Sequence, residues 1–281
     1  MVIAVTGASG QLGRIVIDKL KAKVPPRTVV ALARSSSKAA DLGVEIRPGD
    51  YGRPDELAAS LAGIDTLLLI SSSEVGQRTT QHRNVIEAAR KAGVRRIVYT
   101  SLLHADTSPL SLASEHLETE AMVRASGIPF TILRNGWYME NHTASVQPSV
   151  SAGALIGSAG NGRIAGALRE DYAEAAVAVL TEAGHEGKIY ELAGDAPYTL
   201  ADLAQEISRQ AGRDIPYRDL PPADYARALE AAGLPAGLAA ALAAWDVDAS
   251  RGALEDDGHA LSRLIGRRTA PLSAAVKRAL T

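Results

Sequence analysis

Short apolar runs and stretches with helical spacing alternate along the first half of the chain. The runs at Val2–Val5, Thr28–Ala33, Val44–Arg47, Asp65–Ile70, Arg95–Thr100 and Phe130–Leu133 predict six strands. Between them the spacing predicts helices from near Gln11 and over Pro54–Leu61, Arg78–Ala92 and Leu110–Ala125. Pro54 suits a first helical turn, and Gly93 and Gly127 act as stops. Repeated strand-then-helix units imply a parallel sheet with helices on both faces, and the unbroken Leu/Ile/Val character of the strands fits burial on both sides. Beyond Asn135 the rhythm changes. Ser145–Gly162 reads as loop and short irregular pieces, followed by a helix at Asp171–Glu182 and a strand at Lys188–Leu192. Further helices are predicted near Leu200–Ala211, Ala223–Ala232 and Leu272–Leu280.

The first strand runs into Gly7-x-x-Gly10-x-x-Gly13. A strand, a glycine turn and a helix in that order form a site for a pyrophosphate, which meets the free amides and positive end of the helix. The second strand ends at Arg34, where an acidic residue would hold the ribose hydroxyl of NAD and an arginine suits the 2′-phosphate of NADP. NADPH is therefore the expected cofactor, with NADH as a weaker substitute. The expected fold is α/β, a Rossmann-like doubly wound parallel sheet. Residues 1–140 would form the dinucleotide-binding domain and residues 141–281 a smaller substrate-capping lobe. The strand near 188–192 is expected to return to the main sheet.

Composition narrows the chemistry. The 281 residues are 46% hydrophobic, carry a formal net charge of −2 and include no cysteine. Disulfides, thiol nucleophiles and cysteine-ligated metals are thereby excluded. Near-neutral charge argues against a nucleic-acid surface, and the pairs Arg95-Arg96 and Arg267-Arg268 are too short to form a basic patch. The apolar stretch at Leu229–Trp245 is interrupted by Gly233, Pro235 and Gly237, so no membrane span is expected. No leader pattern precedes the first strand, and a cytoplasmic enzyme is expected. His82, His104, His142, His185 and His259 show no metal-ligand spacing, so no metal site is expected. His185, in a glycine turn, reads as structural and Glu74 as a solvated loop carboxylate or a polar pocket group, while Gln77, His82 and His104 follow strands that lead toward the pocket.

Several runs are more specific: Thr6–Gly13, Leu69–Arg78, Tyr99–Ser108, Leu133–Tyr138 with Glu140-Asn141, and Glu182–Lys188. Together they resemble the bacterial NmrA-like NAD(P)H:quinone oxidoreductases, atypical members of the short-chain dehydrogenase superfamily with a related branch that reduces triphenylmethane dyes. The resemblance implies that Gly7, Ala8, Ser9, Gly10, Gln11, Leu12 and Gly13 surround NADPH together with Arg34 and Ser71, Ser72 and Ser73. It also implies cofactor roles for Asn135, Gly136, Trp137, Tyr138, Met139 and Glu140, and an adenine contact at Asp50. Direct hydride transfer to a planar acceptor, without flavin, is implied as well.

Carbonyl-reducing members of that superfamily use a serine after the fifth strand and a Tyr-x-x-x-Lys on the next helix. Ser101 matches the serine, but the other two positions hold His116 and Glu120. A ketone would become an alkoxide whose conjugate acid has a water-like pKa of ~15.7. A quinone becomes a phenolate-like anion comparable with tyrosine at ~10, roughly 7–8 kcal/mol easier at about 1.36 kcal/mol per unit. A quinone therefore depends far less on a positioned acid, which typically contributes ~10²–10⁴-fold. Candidates for the remaining catalytic work are Asn135, Tyr138 and His116, with a solvated surface position as the plain reading of His116 among three glutamates. The alternative function is a dinucleotide-binding sensor with no turnover. Monomer and homodimer are both compatible with the sequence.

Overall fold

The computed structural model describes residues 1–281. Seven parallel strands form one sheet in the order β3-β2-β1-β4-β5-β6-β8. They are β1 (Ile3–Val5), β2 (Val29–Ala33), β3 (Glu45–Pro48), β4 (Thr66–Leu69), β5 (Arg96–Leu102), β6 (Phe130–Asn135) and β8 (Ile189–Leu192). The order reverses between β1 and β4, which opens a crevice above the carboxyl ends of the strands. On one face, α1 (Gln11–Lys21) and α7 (Arg169–Thr181) bury Val16, Ile17, Leu20 and Val179 against Ile3, Val5 and Leu133. On the other, α2 (Pro54–Ser60), α3 (Arg78–Lys91) and α4 (Ala113–Ala125) pack Leu57, Val85, Ile86 and Val123 on Ala4, Leu67 and Ile97. The central strands are wholly buried, in keeping with their continuous apolar sequences.

β8 joins the sheet beside β6, with Ile132 opposite Ile189 and Asn135 opposite Leu192. Because α7 packs on α1, the second half of the chain contributes to the sheet layers as well as to the lobe above them. That lobe has its own core, including Trp137, Met139, Leu155, Leu203 and Ile207. It contains the two-stranded parallel sheet of β7 (Leu155–Gly157) and β9 (Tyr217–Asp219). No helix is long and apolar enough to cross a membrane.

Two stretches depart from the sequence expectation. Ser145–Gly162, expected as loop, contains the helix α6 (Val146–Ala152) and strand β7. In the interrupted run Leu229–Trp245, the expected helix α9 (Pro222–Ala231) is joined in a hairpin by an unexpected one, α10 (Ala236–Ser250), with Pro235 preceding its first turn. Proline costs nothing at a helix start, where its missing N–H has no partner to lose. Helix α4 begins at Ala113, three residues after the expected Leu110.

Candidate active site

Gly7 leaves β1 with φ +58°, in the left-handed region that glycine adopts without strain. Its carbonyl accepts the Gly10 amide at 2.9 Å, closing a tight turn. A Cβ on Gly13 would lie 2.3 Å from the Gly7 oxygen and 2.8 Å from the Ala8 Cα. Helix α1 then starts with no side-chain cap and no acidic residue in its first turn. The amides of Gln11, Leu12 and Gly13 find no acceptor within the chain. Three unspent donors at a positive helix end are complementary to a phosphate diester, so the residues present fit a dinucleotide. Behind the turn, the Tyr51 hydroxyl lies 2.6 Å from Thr6 Oγ1 and 2.8 Å from the Ile70 carbonyl, tying the ends of β1 and β4 together.

A cleft of about 610 Å³ opens above this turn. Its wall includes Gly7, Ser9, Gly10, Gln11, Leu12 and Gly13 from the turn, and Arg34, Asp50 and Ser71–Ser73 from the loops after β2, β3 and β4. Tyr138, after β6, completes the predicted set that reaches it. Ala8, Asn135, Gly136, Trp137, Met139 and Glu140 do not line the cleft. The Ala8 amide is spent on the Leu32 carbonyl, and the Gly136 amide on the Leu192 carbonyl. Trp137 and Met139 are buried in the core of the lobe. The Glu140 carboxylate accepts the Arg169 amide at 2.9 Å at the start of α7.

The Arg34 guanidinium is ion-paired with Glu74 across the mouth of the cleft, and Glu74 also accepts from Gln81 Nε2 at 2.7 Å. Glu74 is thus a partner of Arg34 in the cleft wall, which corrects its reading as a solvated loop carboxylate in favour of a polar pocket group. The serine loop is pinned from behind. The Ser72 amide donates to His82 Nε2 at 2.9 Å, Arg78 Nε donates to the Ser72 carbonyl at 2.9 Å, and the Ser71 amide donates to Thr100 Oγ1 at 2.9 Å. Burial and the nearby Arg78 cation push the His82 imidazole down to about 3, so it stays a neutral acceptor. His82 therefore shapes the cleft without lining it.

His116 is corrected from surface to core. It is buried on α4 with Nδ1 2.7 Å from the Tyr99 hydroxyl, and burial holds its titration well below the ordinary range. It does not line the cleft, so it has no access there as a proton donor. Glu120, at the position of the superfamily lysine, is also buried. It accepts from Ser101 Oγ at 2.7 Å and forms a two-pronged pair with Arg134 at 2.8 and 2.9 Å. Arg134 also reaches Glu191 at 2.7 Å and Asp106 at 3.1 Å. A core ion-pair network thus occupies the place of the usual acid and its cation.

At the far end of the cleft stand Leu112, Tyr138, Asn141, Arg169 and Trp245. Asn135 Nδ2 donates to the Tyr138 hydroxyl at 3.2 Å, which leaves that hydroxyl its own proton. Trp245, on α10, donates from Nε1 to Ser111 Oγ at 2.9 Å and meets Trp137 edge to face, with ring centroids 6.0 Å apart. The cleft indole is therefore Trp245, while Trp137 supports it from the core. Sequence reasoning missed Trp245 and Arg169, because neither lies in a recognisable motif. Tyr51, Arg78 and Gln81 were missed as well, although Arg78 ends the serine run and Gln81 lies three residues beyond it.

The chain matches the model of a family described as NAD(P)H-binding over residues 7–183. It is 55% identical over 277 residues to quinone oxidoreductase 2 of Escherichia coli, covering 98% of this chain and 97% of that protein. The structure of an NADPH-dependent quinone oxidoreductase from E. coli complexed with NADPH superposes with a TM-score of 0.96 at 54% identity, covering 100% of both chains. Triphenylmethane reductase of Citrobacter sp. complexed with NADP(H) superposes with a TM-score of 0.95 at 39% identity over 99% of each chain. Glycine turn, parallel sheet and likeness along the whole chain agree, and the protein belongs to the NAD(P)H-binding family of NmrA-like quinone oxidoreductases.

Proposed function

We propose that this protein is an NADPH-dependent reductase of quinones that works by direct hydride transfer without flavin. The observation that carries the reading is one cleft holding three unspent helix amides at one end, Arg34 beside them and an indole with a tyrosine at the other. Gly7–Gly13 would hold the pyrophosphate, Arg34 the 2′-phosphate, Asp50 the adenosine half, and Ser71–Ser73 the central span. Asn135–Glu140 would act mainly through Tyr138, the one member of that run at the cleft wall. Residues 1–140 would carry the dinucleotide, and residues 141–281 would cap its reactive end through Asn141 and Trp245. When bound, NADPH supplies a hydride to the acceptor. The chain supplies proximity and orientation, which suffice for an acceptor whose product anion needs no strong acid. Dependence on NADPH supports a cytoplasmic location.

The test is anaerobic oxidation of NADPH by the purified protein, without added flavin, against benzoquinones, naphthoquinones and a simple ketone. Turnover with quinones and none with the ketone is the expected result. Tight NADPH binding with no turnover across the panel would instead mark a sensor.

Two substitutions probe the two ends of the cleft. Arg34→Ala should weaken NADPH by about 10–100-fold, the loss of a charge-assisted contact worth ~1.5–3 kcal/mol, while NADH changes little. Equal losses for both cofactors, read from KM, would remove Arg34 from the phosphate site. Because Arg34 and Glu74 are both exposed, the melting temperature should hardly move. Trp245→Ala should raise KM for a naphthoquinone by about 3–10-fold, as expected for an aromatic contact of ~0.5–1.5 kcal/mol, with KM for NADPH unchanged.

A further inference from the structure

Arg169 is a cation in the cleft wall that the reductase reading above leaves without a task. Its guanidinium carbon sits 4.6 Å from the centroid of the Tyr138 ring, so it lies over that ring, and Nη2 donates to Asn141 Oδ1 at 2.8 Å. The planar fork is therefore held in one orientation by a face contact and a hydrogen bond. Nη1 is shielded from solvent and makes no hydrogen bond, so what the cleft meets is the rest of the guanidinium plane. The one carboxylate nearby is Glu140, 3.4 Å from Nη1. Glu140 directs both oxygens to the Arg169 backbone amide, at 2.9 and 3.2 Å, and does not line the cleft. The charged group that faces the cleft beside Tyr138 is thus the Arg169 guanidinium, with Glu140 paired to it from behind.

A positive charge fixed there has a chemical consequence. A neutral quinone that accepts hydride takes up two electrons and one hydrogen nucleus, while NADPH leaves as NADP⁺. The product is a hydroquinone monoanion, which one solvent proton converts to the hydroquinone. With the superfamily's lysine replaced by Glu120 and its tyrosine by buried His116, the cations left in the cleft wall are Arg34, paired with Glu74, Arg78, paired with Glu115, and Arg169 beside Tyr138. We propose that Arg169 stabilises the monoanion as it forms, selecting acceptors that gain negative charge on reduction. The proposal rests on the hydride-transfer reading of the cleft. A preorganised donor or charge of this kind acts only as charge develops, so it raises kcat more than it tightens binding.

Acceptor charge provides the test. A cationic triarylmethane dye takes the same hydride at its central carbon and becomes neutral, so a fixed cation offers its product nothing. Arg169→Gln should lower kcat for a neutral naphthoquinone by about 10–100-fold, below the ~10²–10³ of a full oxyanion donor because Glu140 is close. Direct titration of NADPH by calorimetry should give a Kd within about 3-fold of wild type, and dye reduction should be unchanged or faster. Arg169→Lys, which keeps the charge but not the fork, should recover most of the quinone rate. A Kd for NADPH that rises tenfold or more, with quinone and dye rates falling together, would assign Arg169 to the cofactor phosphates and overturn the proposal. Unchanged quinone turnover in Arg169→Gln would overturn it as well. Failure of the wild-type chain to oxidise NADPH with any quinone would instead overturn the reductase reading beneath it.

Discussion

Replacing Glu120 by alanine is expected to cost about 3–5 kcal/mol of stability, because it strips the main partner from a buried guanidinium. Glu120 is 1% exposed and Arg134 4%, so water cannot replace the lost contact. Glu191 and Asp106 still hold one edge of Arg134, which sets the cost nearer the lower bound. Ser101 would also lose its acceptor. At the lower bound the melting temperature should fall by roughly 6–12 °C for a chain of this size. Activity of the folded fraction should change less than about 3-fold, since Glu120 does not line the cleft. A large drop in kcat without loss of stability would show that the position retained a catalytic role. The same network predicts an acid limb. Burial raises the Glu120 carboxyl, but the bonds from Arg134 and Ser101 outweigh it and hold its titration below the ordinary range. Its contribution is therefore complete above the unfolded value of ~4.3 and disappears as pH falls through the lower folded value. Wild type should lose stability across that acid range more steeply than Glu120→Gln, as followed by urea unfolding at a series of pH values.

Gly13→Ala should reduce NADPH affinity by more than about 100-fold, because the added carbon meets backbone that cannot step aside. Its position 2.3 Å from the Gly7 oxygen forces the turn open and misaligns the amides of Gln11, Leu12 and Gly13. Hydrogen bonds to a charged group contribute about 1.5–3 kcal/mol each, so losing two exceeds a hundredfold. Overpacking should cost a further ~1–3 kcal/mol of stability. Gly237→Ala is the control. Nothing lies within 4 Å of the added carbon there, and the residue sits in α10. That variant should bind NADPH normally and melt at or slightly above the wild-type temperature. Unaltered NADPH titration by Gly13→Ala would show that the dinucleotide does not sit on this turn.

Much of the cofactor end was legible from the chain alone. Gly7, Gly10 and Gly13 act within seven positions of one another, and the turn they make needs only local backbone geometry and the start of α1. Arg34 was readable for a related reason: it directly follows β2, and the carboxyl ends of parallel strands share one edge of the sheet. Asp50 and Ser71–Ser73 were expected there only through the family resemblance. His116 and Glu120 were harder to read. Three glutamates around His116 suggested an exposed helix face, yet α4 turns both residues inward, where Tyr99 and Arg134 satisfy them. A buried charge and its partner on another element look, in the sequence, like two ordinary surface residues.

The sequence by itself determined the strand-and-helix alternation, the tight glycine turn, an arginine at the end of the second strand and the absence of the usual acid. Those depend on periodicity, on steric freedom at glycine and on residue identity at strand ends, all local properties. Tertiary structure decided which residues join Tyr138 in the cleft wall. Leu112 precedes α4, Tyr138 immediately precedes the short helix after β6 that holds Asn141, Arg169 opens α7 and Trp245 lies in α10. Helix α10 is alanine-rich and apolar on every side, so no periodicity marks the face that carries Trp245 into the cleft. The orientation of that helix is set by what it packs against, including Trp137 and Ser111, and such contacts between distant residues exist only once the lobe has folded.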